Sequence, residues 1–214
     1  MVQFGVVVAL LNYALRTISA GRASLIFATF PLITMLFAAA LKHERLTVAK
    51  STGVGLTVLG VGLTLGEKAV LPGGGSWLGE AAVLLSAASG ALCSVLYRPY
   101  LQTYDPLPVG ALAMLASVGF LAALAAPQGF FIEPPSLTDG GWLAVLFIGV
   151  SSGIGYWLWL WALRHASPTR VAVFLALGPA TAFLLGAIFL GEPVSLFSLL
   201  GLAAVALGLW LAHL

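Results

Sequence analysis

The feature of this sequence that most constrains its fold is a succession of apolar segments, each about long enough to cross a membrane. A hydrocarbon core about 30 Å thick requires roughly 20 helical residues. We place eight such segments at 2–17, 22–41, 47–66, 76–97, 107–126, 141–163, 169–190 and 195–212. Hydrophobic residues make up 61% of the chain and charged residues only 7%. Because lipid cannot satisfy backbone hydrogen bonds and these runs are continuous, the sequence predicts an all-α integral membrane protein of about eight transmembrane helices.

The chain also repeats itself at an offset of 148 residues. Residues 14–60 align without gaps on residues 162–208. The informative identities fall on residue types that are rare here: Arg16/Arg164, Ser19/Ser167, Arg22/Arg170, Pro31/Pro179, Glu44/Glu192, Gly53/Gly201 and Gly60/Gly208. Equivalent segments lie five spans apart, and an odd offset gives them opposite orientations in the bilayer. The pattern therefore predicts an inverted-topology repeat, which is typical of secondary transporters.

The two copies of the repeat are unequal. Segments 76–97 and 107–126 precede the second copy, whereas the first copy has no corresponding pair. We therefore divide the chain into a partial first repeat of three helices, 1–70, and a second repeat of five, 76–214. This 3+5 arrangement predicts either a truncated five-plus-five protein or a chain completed by a homodimer or by a second chain that supplies the missing helices.

These features resemble the EamA type of the drug/metabolite transporter superfamily. The resemblance covers essentially all 214 residues. It rests on the paired stretches "PLITMLFAAALKHE" and "PATAFLLGAIFLGE", on their flanking residues, and on the helix "LGEAAVLLSAASGALCSVLYRP". In each repeat the family pattern is a helix with a central proline, a terminal glutamate and a glycine-bearing helix. The resemblance implies ten helices in two inverted repeats around a central cavity, with alternating access, of which this chain lacks the first two.

Several other functions are disfavoured by the residues. A net charge of +2 is too small and too scattered for a nucleic-acid surface. His43, His165 and His213 are isolated and lack metal-ligand spacing. No serine or cysteine has an evident base partner in the sequence. We therefore predict no catalytic residue, no metal and no cofactor, and we do not expect an enzyme.

Candidate substrate-cavity residues come from polar, aromatic and proline positions inside the spans. The candidates from the sequence are Asn12, Phe27, Pro31, Tyr156, Trp157, Leu175 and Pro179. Each proline removes a backbone donor and frees the carbonyl group four residues earlier, which is that of Phe27 or Leu175. Trp161 is expected in the headgroup belt, and Trp159 is expected to point away from Tyr156. The family resemblance adds Ser89 and Cys93, which lie in a region that borders the cavity.

Three carboxylates need separate interpretations. Glu80 lies about a turn inside its span and is a candidate for proton coupling, since intramembrane carboxylates are costly. Glu44 and Glu192 end their spans, and we interpret them as structural helix-end residues, with a gate or a proton-coupling role as the alternative. Small residues at 82, 86, 90 and 94, and the pairs Gly62/Gly66 and Gly149/Gly153, predict close helix packing.

The function expected from these features is secondary transport, namely export of small metabolites such as amino acids or related amphiphilic compounds. The alternative is a non-transporting membrane partner or an inactive truncated fragment. The expected partners are a small-molecule substrate and the lipid bilayer, without nucleic acid. Six Lys and Arg residues flank one set of connections and three flank the other. This excess predicts that both termini are cytoplasmic. We expect the chain to lie in the inner cell membrane.

Overall fold

The structure is a computed structural model, and it describes residues 2–18, 23, 26–69, 76–132, 136–178, 181, 188 and 196–213. A π-helical turn, Val2–Val6, leads into the first helix. The helices are α1 (Val7–Leu15), α2 (Phe30–Ala40), α3 (Val48–Ala69), α4 (Trp77–Thr103), α5 (Pro106–Ala125), α6 (Asp139–His165), α7 (Pro168–Val173) and α8 (Leu196–His213). No strand occurs among the described residues, so the predicted all-α class is confirmed.

Three helices are long and apolar enough to cross a membrane by length and composition. They are Trp77–Thr103, Pro106–Gln128 and Asp139–His165, the second of which includes the 3₁₀ turn after α5. Four shorter apolar helices accompany them among the described residues: Gln3–Leu15, Phe30–Ala40, Val48–Leu63 and Leu199–Ala212. Membrane-spanning helices are therefore present, while the count of eight spans stays a prediction.

The helices α3 and α8 form a close antiparallel pair through glycines of the sequence repeat. A β-carbon added at Gly60 would lie 2.6 Å from the carbonyl oxygen of Gly201, and one added at Gly208 would lie 2.6 Å from that of Gly53. Residue numbers therefore rise along α3 as they fall along α8. Because glycine lacks a side chain, the two backbones can approach this closely, and close approach is the main source of helix association in lipid.

The helix α4 is the centre of the described fold, and its small residues form the contact surface. Ala82, Ser86, Gly90 and Ser94 are all buried, which confirms their predicted packing role. The Ser86 hydroxyl donates a hydrogen bond to the Val7 carbonyl oxygen at 3.0 Å. The stripe thus packs α4 against α1 and α2. By contrast, no atom would lie within 4 Å of a β-carbon at Gly149 or Gly153, so these two glycines do not pack as predicted.

The helix that contains Pro31 begins at Phe30, so the proline lies in its first turn and not at its centre. A turn at residues 28–29 precedes α2, and Pro31 occupies its first turn. Proline is favourable there because an N–H in the first turn has no intrahelical partner. The Pro31 side chain is fully buried. The helices α4 and α7 both pack against α2, so this side chain is enclosed by protein.

Candidate functional site

Six aromatic residues line the interior between the two halves of the chain, and we call them the central aromatic cluster: Phe4, Phe27, Phe30, Tyr97, Tyr156 and Trp159. Phe4 lies 5.8 Å from Tyr156 between ring centroids, and Phe30 meets Trp159 edge-on at 6.2 Å. Both distances are in the range favoured by aromatic pairs. The cluster draws side chains from the π-turn, the residues just before α2, α2 itself, α4 and α6, so several independent elements hold it in place.

Polar atoms without hydrogen-bond partners occur in and beside this cluster. Within the described part of the chain, the Gln3 side-chain oxygen, the Tyr156 hydroxyl and the Trp159 indole N–H are buried and unpaired. The Tyr156 hydroxyl lies close to that of Tyr97 but without the geometry of a hydrogen bond. The Gln3 amide nitrogen donates to the Ser94 hydroxyl at 3.3 Å. Because buried polar groups in proteins are normally paired, unpaired ones identify candidate ligand contacts.

The structure divides the aromatic residues of α6 differently from the sequence interpretation. Tyr156 is 8% exposed and belongs to the cluster, while its role as a substrate-cavity residue stays a prediction. Trp157 is 41% exposed and lies outside the cluster. Trp159 packs against Phe30 although it was expected to point elsewhere. The buried face of α6 runs through Tyr156, Trp159, Leu160 and Leu163, with helical spacing of three and four residues. Helical phase taken from Tyr156 alone would have identified Trp159.

The two candidates contributed by the resemblance lie on the half-buried face of α4. Cys93 lines a cavity of about 320 Å³ together with Tyr97, Tyr100, Tyr104 and Leu96. Ser89 is half-buried on the preceding turn. The cavity adjoins the cluster because Tyr97 belongs to both.

The remaining cavity candidates are not brought together with the cluster, with one exception. Phe27 packs against Phe30 at 5.5 Å between ring centroids and is part of it. Asn12 is exposed on the outer side of α1. Leu175 is 37% exposed, in the 3₁₀ turn that follows α7. Pro179 and the helix-end residue Glu192 lie outside the described residues.

Glu44 connects the two halves of the chain at one end of the molecule. One carboxylate oxygen accepts a hydrogen bond from the Thr169 backbone N–H at 3.1 Å, and the other pairs with the Lys50 ammonium at 2.5 Å. Burial alone raises the pKa of Glu44, but the Lys50 and Thr169 hydrogen bonds outweigh it, so the pKa lies below the ordinary 4.5. Its contribution is therefore present at neutral pH and is lost only as the pH falls through that lowered pKa. The structural helix-end role of Glu44 stays a prediction, with a gate or a proton-coupling role as its alternative.

Two further charged residues lie at helix ends. Glu80 is in the first turn of α4 and is half-buried. A carboxylate there interacts favourably with the positive end of the helix. Arg164, near the end of α6, forms an ion pair with Asp105 at 2.6 Å. No group of three or more metal-ligating side chains occurs in the residues that the structure describes.

Comparison with known proteins identifies the family. A sequence model of the EamA-like transporter family matches residues 1–66 and 77–214. The chain belongs to this family. Membership confirms the resemblance drawn from the repeated proline and glutamate motifs. Together with the apolar helices, it establishes an integral membrane protein of a transporter family.

Individual relatives agree with this assignment. An uncharacterized transporter of Archaeoglobus fulgidus is 28% identical over 207 residues, which cover 94% of this chain and 70% of the relative. A protein of Streptantibioticus cattleyicolor, named a probable terminal-alkyne amino-acid exporter, is 31% identical over 206 residues, with 92% and 67% covered. A solved crystal structure, 23% identical, matches with a TM-score of 0.79 over 99% of this chain and 75% of that one. That structure supports the fold.

Proposed function

We propose that this EamA-like protein is a secondary transporter that exports small amphiphilic metabolites, with amino acids as the leading substrate class. The observation that carries the proposal is the set of unpaired polar atoms beside the central aromatic cluster. A ligand that paired with these atoms would remove the cost of burying them, which is about 1–3 kcal/mol for each group.

The chemistry of the cluster favours a zwitterion with an apolar side chain. The Tyr156 hydroxyl and the Trp159 indole N–H are donors suited to a carboxylate. The Gln3 oxygen is an acceptor suited to an ammonium group, and aromatic faces attract cations as well. The rest of the cluster is apolar and would contact the substrate side chain. The name of the Streptantibioticus relative, a probable amino-acid exporter, supports the same class.

We also propose that the two halves form an inverted repeat and exchange roles during alternating access. Two observations support this proposal. Gly60 faces Gly201, and Gly208 faces Gly53; these four glycines are two repeat-equivalent pairs, and such reciprocal contacts are those of a two-fold axis. In addition, one apolar cluster contains two repeat-equivalent pairs, Ala28/Ala176 and Val61/Leu209.

In this proposal Glu44 closes one end of the transport pathway. Its carboxylate joins the residues after α2, in the first repeat, to the Thr169 backbone at the start of α7, in the second. Opening that end requires this contact to break. The excess of Lys and Arg on the same side makes this the cytoplasmic end, with both termini cytoplasmic, in the inner membrane. Glu80 remains the candidate for proton coupling.

The test is export from cells that express the protein. Cells loaded with labelled apolar amino acids should lose label faster than cells that express Tyr156→Phe at equal level. Amino-acid esters and N-acetyl amino acids, which each lack one charge, should compete poorly. Equal export in both cell lines would contradict the proposed site. Absence of export of every amino acid tested would instead favour a non-transporting membrane partner.

A further inference from the structure

The turn that follows α5 exposes three large apolar side chains in succession. Phe130, Phe131 and Ile132 are 48%, 63% and 83% exposed, and the two phenylalanine rings meet edge-on at 5.4 Å between centroids. Connections between helices usually carry polar residues, because they face water. A run of three exposed apolar residues therefore indicates a surface that contacts something other than water.

Hydrogen bonds hold this turn in a defined conformation. The Gln128 side-chain amide donates to the Leu124 carbonyl oxygen at 3.0 Å and so caps the end of α5. Gly129 has a φ of 78°, a left-handed conformation that glycine adopts without steric cost. The Ile132 backbone N–H donates to the Gly129 carbonyl oxygen at 2.9 Å. An ordered turn, directly connected to a long apolar helix, therefore presents the three side chains.

The length of α5 places this turn at the surface of the membrane. Asp105 and Arg164 form an exposed ion pair, which marks the water-facing end shared by α5 and α6. A hydrocarbon core about 30 Å thick corresponds to about 20 helical residues. The helix α5, Pro106–Ala125, starts beside Asp105 and has 20 residues, which match that thickness. Residues 130–132 therefore lie just beyond the opposite edge of the hydrocarbon core.

The helix α6 has an exposed aromatic residue at the same depth. About 20 residues before Arg164 along α6 lies Ala144, so the same edge of the hydrocarbon core falls near that residue. Trp142 precedes it in the first turn of α6 and is exposed. Aromatic residues are enriched at both surfaces of a membrane, where their rings sit at the level of the headgroups. Exposed aromatic side chains at the two ends of this connection thus lie at one level of the bilayer.

We propose that residues 130–132 form an interfacial anchor, which inserts among the headgroups and upper acyl chains on the side opposite the Asp105–Arg164 ion pair. The partner is the lipid surface, because the turn lies between two membrane-spanning helices and at the edge of the hydrocarbon core. The segment 127–132 carries no charge, so burial of apolar area drives the insertion without any need for anionic lipid. The anchor fixes the depth of α6, the helix that carries Tyr156 of the central aromatic cluster.

The test measures the depth of this turn in liposomes of neutral phospholipid. In a Cys93→Ser background, a nitroxide spin label is attached at Phe131→Cys, and its collisions with oxygen and with a water-soluble nickel chelate are measured. Leu115→Cys, at an exposed position in the middle of α5, is the lipid-facing control. Ser136→Cys, at an exposed polar position of the same connection, is the water-facing control.

The Phe131→Cys label should collide with the nickel chelate several-fold less often than the Ser136→Cys label, and with oxygen more often. This result would place the turn on the lipid side of the water boundary. Collision rates equal to those of the Ser136→Cys label would place the turn in water and overturn the proposal. Low rates with both reagents, compared with both controls, would show that protein covers the turn and would overturn the assignment to lipid.

A second measurement tests whether the anchor sets the depth of α6. Phe130→Ser, Phe131→Ser and Ile132→Ser are combined in one chain, and a spin label at Trp142→Cys reports on the start of α6. The serine turn should be drawn into water, so this label should meet the chelate more often than in a matched chain with leucine replacements at the same three positions. Equal accessibility in the two chains would contradict the role in setting depth. Neither measurement requires transport, so the anchor and the proposed function are tested separately.

Discussion

The antiparallel pair of α3 and α8 makes a quantitative prediction about two glycines. A methyl group at Gly60 would lie 2.6 Å from the Gly201 carbonyl oxygen and 2.8 Å from the Val205 backbone nitrogen. Both neighbours are backbone atoms, so the helices themselves would have to separate. Overpacking of this kind typically costs about 1–3 kcal/mol. Replacing glycine by alanine in a helix returns up to about 1 kcal/mol through helix propensity.

Gly60→Ala should therefore be neutral to destabilising by about 2 kcal/mol after both terms are combined. Gly55 lies on the same helix, and a β-carbon added there would have no atom within 4 Å, so Gly55→Ala keeps only the gain in helix propensity. The two variants are compared by thermal unfolding in detergent, in which the fraction of protein that remains monodisperse after heating is measured. With roughly 2–4 °C for each kcal/mol in a chain of this size, Gly60→Ala should melt roughly 2–12 °C below Gly55→Ala.

The repeat sharpens this prediction, because Gly208 is the repeat equivalent of Gly60. It faces the Gly53 carbonyl oxygen at the same 2.6 Å, measured from an added β-carbon. Gly208→Ala should therefore lower the melting temperature as much as Gly60→Ala does. If both variants melt together with Gly55→Ala, the glycine interface is refuted. If only one of them is destabilised, the reciprocal contacts expected of an inverted repeat are contradicted.

Three other outcomes are expected. Tyr156→Phe should raise the KM for transport roughly 2- to 12-fold, because one hydrogen bond is worth about 0.5–1.5 kcal/mol. Replacement of the exposed Trp157 by alanine should be tolerated. Equal effects of the two substitutions would remove the Tyr156 hydroxyl from the site. Glu44→Ala leaves a buried N–H and a lysine unpaired, so it should shift the equilibrium between the closed and open states of this end by about 1–3 kcal/mol toward opening. A cysteine introduced by Thr169→Cys should then react with an impermeant maleimide more in the Glu44→Ala background than in the Glu44→Gln background. Unchanged labelling would contradict the proposed gate. A cysteine introduced in 127–141 should react with an impermeant reagent added outside intact cells. Labelling that occurs only after permeabilisation would show that the chain has the opposite orientation.

The features that could be predicted from the sequence are those that depend on residue type and spacing. Repeated rare residues identified the two copies, and small residues at intervals of four identified the buried face of α4. Glu44 was singled out from its place beside a span end, and the structure places it in the connection after α2, bonded to Thr169. These patterns are informative because a glycine, a proline or a carboxylate inside or beside lipid has few favourable environments.

The orientation of each apolar helix was harder to predict. Lipid is as apolar as a protein interior, so hydropathy does not distinguish the face toward lipid from the face toward protein. Trp159 was expected to point away from Tyr156 for this reason but packs against Phe30, and Gly149 and Gly153 were expected to pack although both face open space. The break before Pro31 was also missed, because a continuous apolar run hides the point where one helix ends and the next begins.

The central claim, transport through the aromatic cluster, is tested most directly by counterflow with purified protein. Liposomes that contain the chain are loaded with an unlabelled apolar amino acid and diluted into the labelled compound. Saturable accumulation of label, with a higher KM in Tyr156→Phe, is the predicted result. If liposomes that contain inserted, folded protein accumulate no label, the protein does not transport amino acids and the account is contradicted.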